Sequence, residues 1–414
     1  MPNDLILANC TLIDGTGAPP RPAVDIAVDA GRITGIEPAR ADRAAAGVID
    51  LTGTWVIPGL INCHDHLYSR NALRRTRPGM GLAALRRELD ARSDFQLLAT
   101  MAYNAVQELF QGITTTRDMG VRNHLNIELR RAIEAGLLPG PTVLACGMPI
   151  AMTGGHVWTF SREADGPDEC AKAVREQLKK GADVIKVMAS GGLSNYPDEK
   201  PQACHLSLAE LRAITTVAHE HSRKVCAHAM ANRAIRNCIE ANIDSIEHGV
   251  YLDEDSAQIM GEKGITLVPT FANVARVADP EYNATAGMPG RAEELRTGVL
   301  EPHAESVRMA IAAGVMIGVG TDSAGHYIDE LTMLCDLGMS PMEALVVATS
   351  NGARLCDLSD RLGTVETGKQ ADLVALAADP LADIRNVGRV SLVVKNGTVV
   401  RRDDLLLQAV PPRA

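Results

Sequence analysis

The stretch INCHDHLYS, residues 61 to 69, sets two histidines either side of an aspartate directly behind the apolar run VIPGL. If that run is a β-strand, side chains two apart share a face, so His64 and His66 project together while Asp65 points away. Two parallel imidazoles are half of a metal site. They also suit a strand-end pair that only hydrogen-bonds, and further ligands converging on the same place would separate the two readings. Candidates end other strand-like runs: His228 in KVCAHA, His248 in DSIEHG and Asp322 in MIGVGTD, with Lys186 inside ADVIKVMAS. Flanked by Val and Ile, Lys186 should face an apolar interior that penalises an ammonium. A neutral buried amine can add carbon dioxide, giving a carbamate, an anionic two-oxygen ligand able to bridge two cations. A salt bridge to Asp322 or Glu247 is the plainer alternative.

The pair His219 and His221 in AHEH has the same spacing but sits in a segment of helical period. On a helix that spacing separates side chains by about 200°, so they cannot chelate one ion. These two, with His124, His205 and His303, are read as surface, loop or helix-capping residues, and His326 as a hydrated loop residue.

The elements that must bring the candidates together follow from periodicity. From residue 57 onward short β-branched runs alternate with helical segments, which predicts parallel strands joined by helices. Eight strands are expected: 56 to 64, 112 to 118, 142 to 147, 182 to 190, 224 to 229, 244 to 249, 265 to 270 and 316 to 322. Segments such as SLAELRAITTVAHEH and EPHAESVRMAIAAG carry the acidic starts and basic or glycine ends of helices. Eight βα units fit a (β/α)8 TIM barrel over residues 56 to 360, whose chemistry gathers at the C-terminal strand ends. A doubly wound sheet competes, but no glycine-rich fingerprint follows the first strand. Residues 1 to 55 and 361 to 414 read as short alternating strands with Gly, Asn and Asp turns, expected to form one small β-sandwich from both termini.

Composition bounds the function. The net charge of -10, from 41 basic and 51 acidic residues, is no polyanion-binding signature and speaks against nucleic acid as a partner. No run reaches the roughly 18 apolar residues of a membrane span, and the N-terminus lacks a signal-peptide pattern. The nine cysteines are odd in number, show no C-x-x-C spacing, and in part (Cys63, Cys146, Cys226) sit in apolar runs. They read as buried hydrophobes in a reducing, cytoplasmic setting.

HDH ending the first strand, Lys in the fourth, His ending the fifth and sixth and GTDS ending the eighth together resemble the amidohydrolase superfamily over nearly the whole chain. Within it, MTGGHVW, IKVMASGG and CAHA resemble the metal-dependent Xaa-Pro dipeptidase (prolidase) and carboxypeptidase-like group, related to imidazolonepropionase. The resemblance implies two divalent metal ions, with zinc expected, and an N6-carboxylated Lys186. One ion would take His64, His66, the Lys186 carbamate and Asp322, the other the carbamate, His228 and His248. It further implies attack on an amide of a small-molecule substrate, a dipeptide such as Xaa-Pro or an N-acyl amino acid, by a hydroxide between the ions, since metals acidify bound water. Asp322 is then placed to move the proton, and His156 to bind a substrate carboxylate or carbonyl. The loops offer Arg70, Tyr196, Phe271 and Asn273 as further substrate contacts, and Arg74, Arg75 and Arg77 beside Arg70 are read chiefly as solvent-facing. A homo-oligomer is also implied. One departure stands out: HAMANRA carries Met230 where many relatives place a nearby tyrosine, which leaves room for a carbamate or xenobiotic amide. A mononuclear aromatic deaminase is the alternative chemistry, and a barrel without activity, serving as an interaction module, is the alternative outside catalysis.

Overall fold

The computed structural model describes residues 5–40, 47–69, 82–194, 199–281 and 290–402. Two compact units share the chain: one takes the segments up to Ile61, Val106–Thr115 and from Ser340 onward, the other Asn62–Ala105 and Thr116–Met339.

The N-terminal strands are β1 (Leu5–Leu12), β2 (Arg21–Asp29), β3 (Arg32–Pro38), β4 (Val48–Asp50) and β5 (Trp55–Pro58). In β1 the inward residues switch parity, from Leu5 and Leu7 to Cys10 and Leu12, across a register shift at Asn9, whose φ is +58°. Such a bulge inserts one residue and flips the face that follows. The expected first strand, 56 to 64, is two strands. Pro58 ends β5 because it has no N–H to donate. At Gly59 a Cβ would sit 2.1 Å from Thr114 Oγ1, so only glycine fits.

The chain continues through β6 (Leu60–Asp65) and β7 (Ile113–Asp118), each divided between the two units, and, within the second, β8 (Thr142–Ala145), β9 (Ile150–Ala151), β10 (Arg162–Glu163), β11 (Ile185–Met188), β12 (Val225–Ala229), β13 (Ser245–His248) and β14 (Thr266–Val268). Neighbours run β6-β7-β8 in one sheet and β10-β9-β11-β12-β13-β14 in another, whose neighbouring strands all pair in parallel. The Asp183 N–H donates to Ala145 O at 2.9 Å, linking β8 to the segment entering β11. The expected last strand, 316 to 322, is not a regular strand. It makes isolated parallel bridges, Ile317 to Leu267 of β14 and Asp322 to Asp65 of β6, supported by Cys63 N–H to Val319 O and Thr321 N–H to His64 O. Gly320 explains the tight approach, since a Cβ there would stand 2.7 Å from His64 Cβ.

Helices fill the connections. Leu208–Glu220 starts at a capping box, Ser207 with Glu210, and Pro167–Lys180 ends at Gly181 with φ +99°, the conformation glycine adopts at least cost. Among the described residues no helix is long and apolar enough to cross a membrane.

The chain then returns to the first unit through β15 (Leu373–Leu376), β16 (Val390–Lys395) and β17 (Thr398–Arg402). Antiparallel pairing of β15 with β5, Leu373 opposite Pro58, makes one sheet from both termini, ordered β17-β16-β15-β5-β1-β2-β3 with β4 on β1. Leu7, Leu12, Ile26 and Val56 from one end pack with Leu373, Leu392 and Val394 from the other in a single apolar cluster.

Candidate active site

Strand parity puts His64, in β6, and His66, just beyond it, on one side, as their spacing predicts. Lys186 in β11, His228 in β12, His248 in β13 and Asp322 after the last bridge line the same cavity, of about 110 Å³, together with His156 and Asn273. Donor atoms of His64, His66 and Asp322 all lie within 4.8 Å of one another. The rings of His64 and His248 stand 5.3 Å apart and those of His228 and His248 4.7 Å. His248 and Asp322 have φ of +72° and +52°, a left-handed conformation that non-glycine residues rarely adopt. Strain of this kind, about 1 to 3 kcal/mol each, gathers at functional sites.

Each imidazole is fixed by a different acceptor, and the acceptor decides which nitrogen is left for a ligand. His64 donates from Nδ1 to Glu247 Oε2 at 2.7 Å, and His66 from Nδ1 to the Gly120 carbonyl at 3.2 Å. Thr270 Oγ1 gives its proton to Pro269 O, so it accepts from His248 Nδ1 at 2.6 Å. These three therefore keep a lone pair on Nε2. His228 donates from Nε2 to Gly191 O at 3.0 Å and keeps its lone pair on Nδ1. Histidines that bind metals are held in this way, one nitrogen donating to protein and the other free.

Burial sets the charge states. Desolvation pushes the His64 and His228 imidazoles well below their ordinary value, with the Lys186 cation adding for His64 and His156 for His228. His248 falls to about 3 for the same leading reason, and His66 also moves down. All four are then neutral at pH 7, the form that ligates. For Asp322 burial works upward, but the basic groups around it, His64, His66, His248 and Lys186, outweigh it and hold the carboxyl low. Lys186 is 1% exposed and forms no ion pair with Asp322 or Glu247 among the described residues, so the salt bridge allowed by the sequence is not seen. Neutral imidazoles and a low carboxylate form a donor set that fits a divalent cation.

The remaining predicted residues divide. His156 lies on the wall, stacked on His228 at 4.2 Å, with Nδ1 donating to Glu199 Oε1 at 2.9 Å. A Cβ on Gly192 would meet its ring at 2.3 Å, so glycine makes room for it. Asn273 lines the cavity, but its amide is engaged: Nδ2 donates to Asp322 Oδ2 at 2.9 Å, and Oδ1 accepts from the Ala324 N–H at 3.0 Å. Phe271 packs against His303 with ring centroids 5.0 Å apart and is absent from the cavity wall. Tyr196 and Arg70, with Arg74, Arg75 and Arg77, fall outside the described residues. Met230 is buried in the wall, joined by Met188, Leu193 and Val277.

Sequence reasoning passed over the groups that hold these side chains. Glu247 and Thr270 act on His64 and His248, and Glu199 acts on His156. His303, read as a surface or capping residue, is fully buried and donates from Nε2 to the His248 carbonyl at 2.8 Å. The signals were faint: a glutamate one position before a strand-end histidine, and an arginine, Arg117, inside an apolar strand. His219 and His221 stay away from the cavity, as helix geometry requires, bonded to Asp244 and to the Val217 carbonyl.

His64, His66, Lys186, His228, His248 and Asp322, from successive strands and the segments just beyond them, line one cavity, and His64, His66 and Asp322 form a group that could hold a metal ion. The chain belongs to the amidohydrolase family, whose profile matches residues 55–400, and is an enzyme acting on amide bonds. It is 31% identical over 362 residues to ochratoxinase of Aspergillus niger, covering 80% of this chain and 72% of that protein. Among solved structures it is similar to a Xaa-Pro dipeptidase with bound methionine in the active site, with TM-score 0.85, 27% identity and 96% and 99% of the two chains covered. It is also similar to a prolidase complexed with N-methylphosphonate-L-proline, with TM-score 0.83, 28% identity and the same coverage.

Proposed function

We propose that the protein hydrolyses the amide bond of a dipeptide, Xaa-Pro among them, or of an N-acyl amino acid, using two divalent metal ions, zinc in the first instance. The reading rests on one observation above others: six donors from five strands or strand ends line one cavity, with every histidine tautomer fixed by an acceptor outside it. His64, His66 and Asp322 would hold one ion, His228 and His248 the other, and Lys186, carboxylated at N6, would bridge them. Bound there, the ions supply Lewis acidity, acidifying a water and polarising the scissile carbonyl. Asp322, with Oδ2 clamped by Asn273, takes the proton of the attacking water and returns it to the leaving amine. His156, held by Glu199 and stacked on His228, would present its ring to a substrate carboxylate. The similarity to a Xaa-Pro dipeptidase and a prolidase supports an amino-acid leaving group.

The scaffold for this chemistry is a (β/α)8 barrel over residues 56 to 360, supported by the parallel pairings and by the hydrogen bonds that tie β8 to β11 and the 316–322 segment to β6 and β14. The termini, 1 to 55 and 361 to 414, form the composite β-sandwich. A homo-oligomer in the cytoplasm, with the cysteines unpaired, completes the proposal. Metal-reconstituted protein assayed against dipeptides, N-acyl amino acids and aromatic amines, with ammonia measured separately, tests it. Amino-acid release supports the amide reading, and ammonia release from an aromatic amine would replace it with a deaminase.

A further inference from the structure

Behind His64 the interior holds a buried ionic group that the proposed chemistry does not use. Arg117, on β7, is 2% exposed, and its guanidinium contacts two other strands, β6 and β13. Nε donates to the Cys63 carbonyl of β6 at 2.5 Å, Nη1 to Ser245 Oγ of β13 at 3.2 Å, and Nη2 to Glu247 Oε1 at 2.8 Å. Ser245 Oγ also donates to Glu247 Oε1, at 2.7 Å. Both donors thus hold one carboxylate oxygen, and the other, Oε2, accepts from His64 Nδ1.

A buried pair of this kind is weak evidence for stability, because desolvating two charges offsets most of their attraction, and apolar residues of similar volume often serve a fold as well or better. What apolar residues cannot do is hold an imidazole by its Nδ1–H. We infer that Glu247 and Arg117 are positioning residues for the metal centre, Glu247 aiming the His64 Nε2 lone pair at it and Arg117 acting through Glu247. The geometry is directional: with Oε1 held by Arg117 and Ser245, Oε2 faces His64. Without that acceptor the ring is free to turn and to place its proton on either nitrogen.

This inference rests on the proposed metal centre, and its test separates the two. Zinc affinity of metal-stripped protein is measured by competition with a chromogenic chelator, and the thermal midpoint of the metal-stripped form is recorded beside it. The variants are the double substitution Arg117→Met/Glu247→Leu and the single Glu247→Gln. The double variant should keep or raise the metal-stripped midpoint, as apolar replacement of a buried pair does, while zinc binds about 10- to 100-fold more weakly, the usual effect of losing an outer partner of a ligating histidine. Glu247→Gln, which must choose between facing its oxygen to His64 or to Arg117, should weaken zinc binding about tenfold. If the double variant does not fold, Glu247→Gln alone decides. Zinc affinity equal to that of the wild type in the folded variants overturns the inference and leaves the pair a structural contact. Wild-type protein that takes up no zinc overturns the metal centre itself.

Discussion

Asn273 separates two roles that look alike in a list of wall residues. The sequence suggested a substrate contact, whereas the structure engages both ends of its amide with the Asp322 segment. Replacing Asn273 with Ala removes one hydrogen bond to an ionised carboxylate, worth about 1.5 to 3 kcal/mol, and one to a backbone N–H, worth about 1 kcal/mol. Asp322 keeps its Oδ1 contact with the Ser323 N–H at 2.6 Å, so it is loosened rather than released, and the lower part of that range applies. At about 1.4 kcal/mol per decade, kcat should fall about tenfold to thirtyfold. KM should change little, because in this account Asn273 acts through the proton-transfer carboxylate and holds no part of the substrate. The assay is steady-state hydrolysis of an N-acyl amino acid by zinc-reconstituted protein, with metal content measured on the same samples. A loss confined to KM, or no loss at all, would refute the reasoning and return Asn273 to the substrate.

Replacing Lys186 with Ala should lower metal content and remove most activity, with partial recovery on adding a short carboxylic acid; undiminished metal and activity would defeat the bridging role. His156→Ala should cost about tenfold to a hundredfold in kcat/KM on substrates with a free C-terminal carboxylate, the value of one charge-assisted hydrogen bond, and little on their amides. Equal losses on the two would assign His156 to loop structure. Glu330, fully buried and accepting from the Phe271 and Ala272 N–H groups at 3.0 and 2.6 Å, is raised by burial from 4.5 to about 7. A carboxyl raised on folding favours the native state below its unfolded value and loses that contribution as pH climbs to the folded one, here by up to about 3 kcal/mol. Chemical denaturation between pH 5 and 8 should therefore show a downward trend that is flatter in Glu330→Gln, and superimposable trends would exclude Glu330 as its source.

The set of residues that meets in the cavity was legible in the sequence because it depends on a local rule: residues two apart at a strand end share a face, and parallel strands carry their ends to one side. His64, His66, His228, His248 and Asp322 needed nothing more. The partners that orient them were not legible, because those contacts join strands far apart in sequence. Glu247 reaches His64 across 183 residues and Arg117 across 130. His303 misled because a histidine in an amphipathic helix reads as solvent-facing until the carbonyl it serves, that of His248, is known. The segment 316 to 322 has the composition of a strand, but Gly320 serves close approach to His64, and the segment bridges its neighbours without a continuous ladder. The split of 56 to 64 was signalled by Pro58-Gly59, which an unbroken apolar run concealed.

The central claim, amide hydrolysis at this cavity, is tested most directly by product analysis of zinc-reconstituted protein incubated with dipeptides and N-acyl amino acids. Free amino acid should be released without ammonia, and the release should be abolished by chelation and restored by zinc. Ammonia from an aromatic amine, or intact amides in the presence of fully loaded protein, would contradict it.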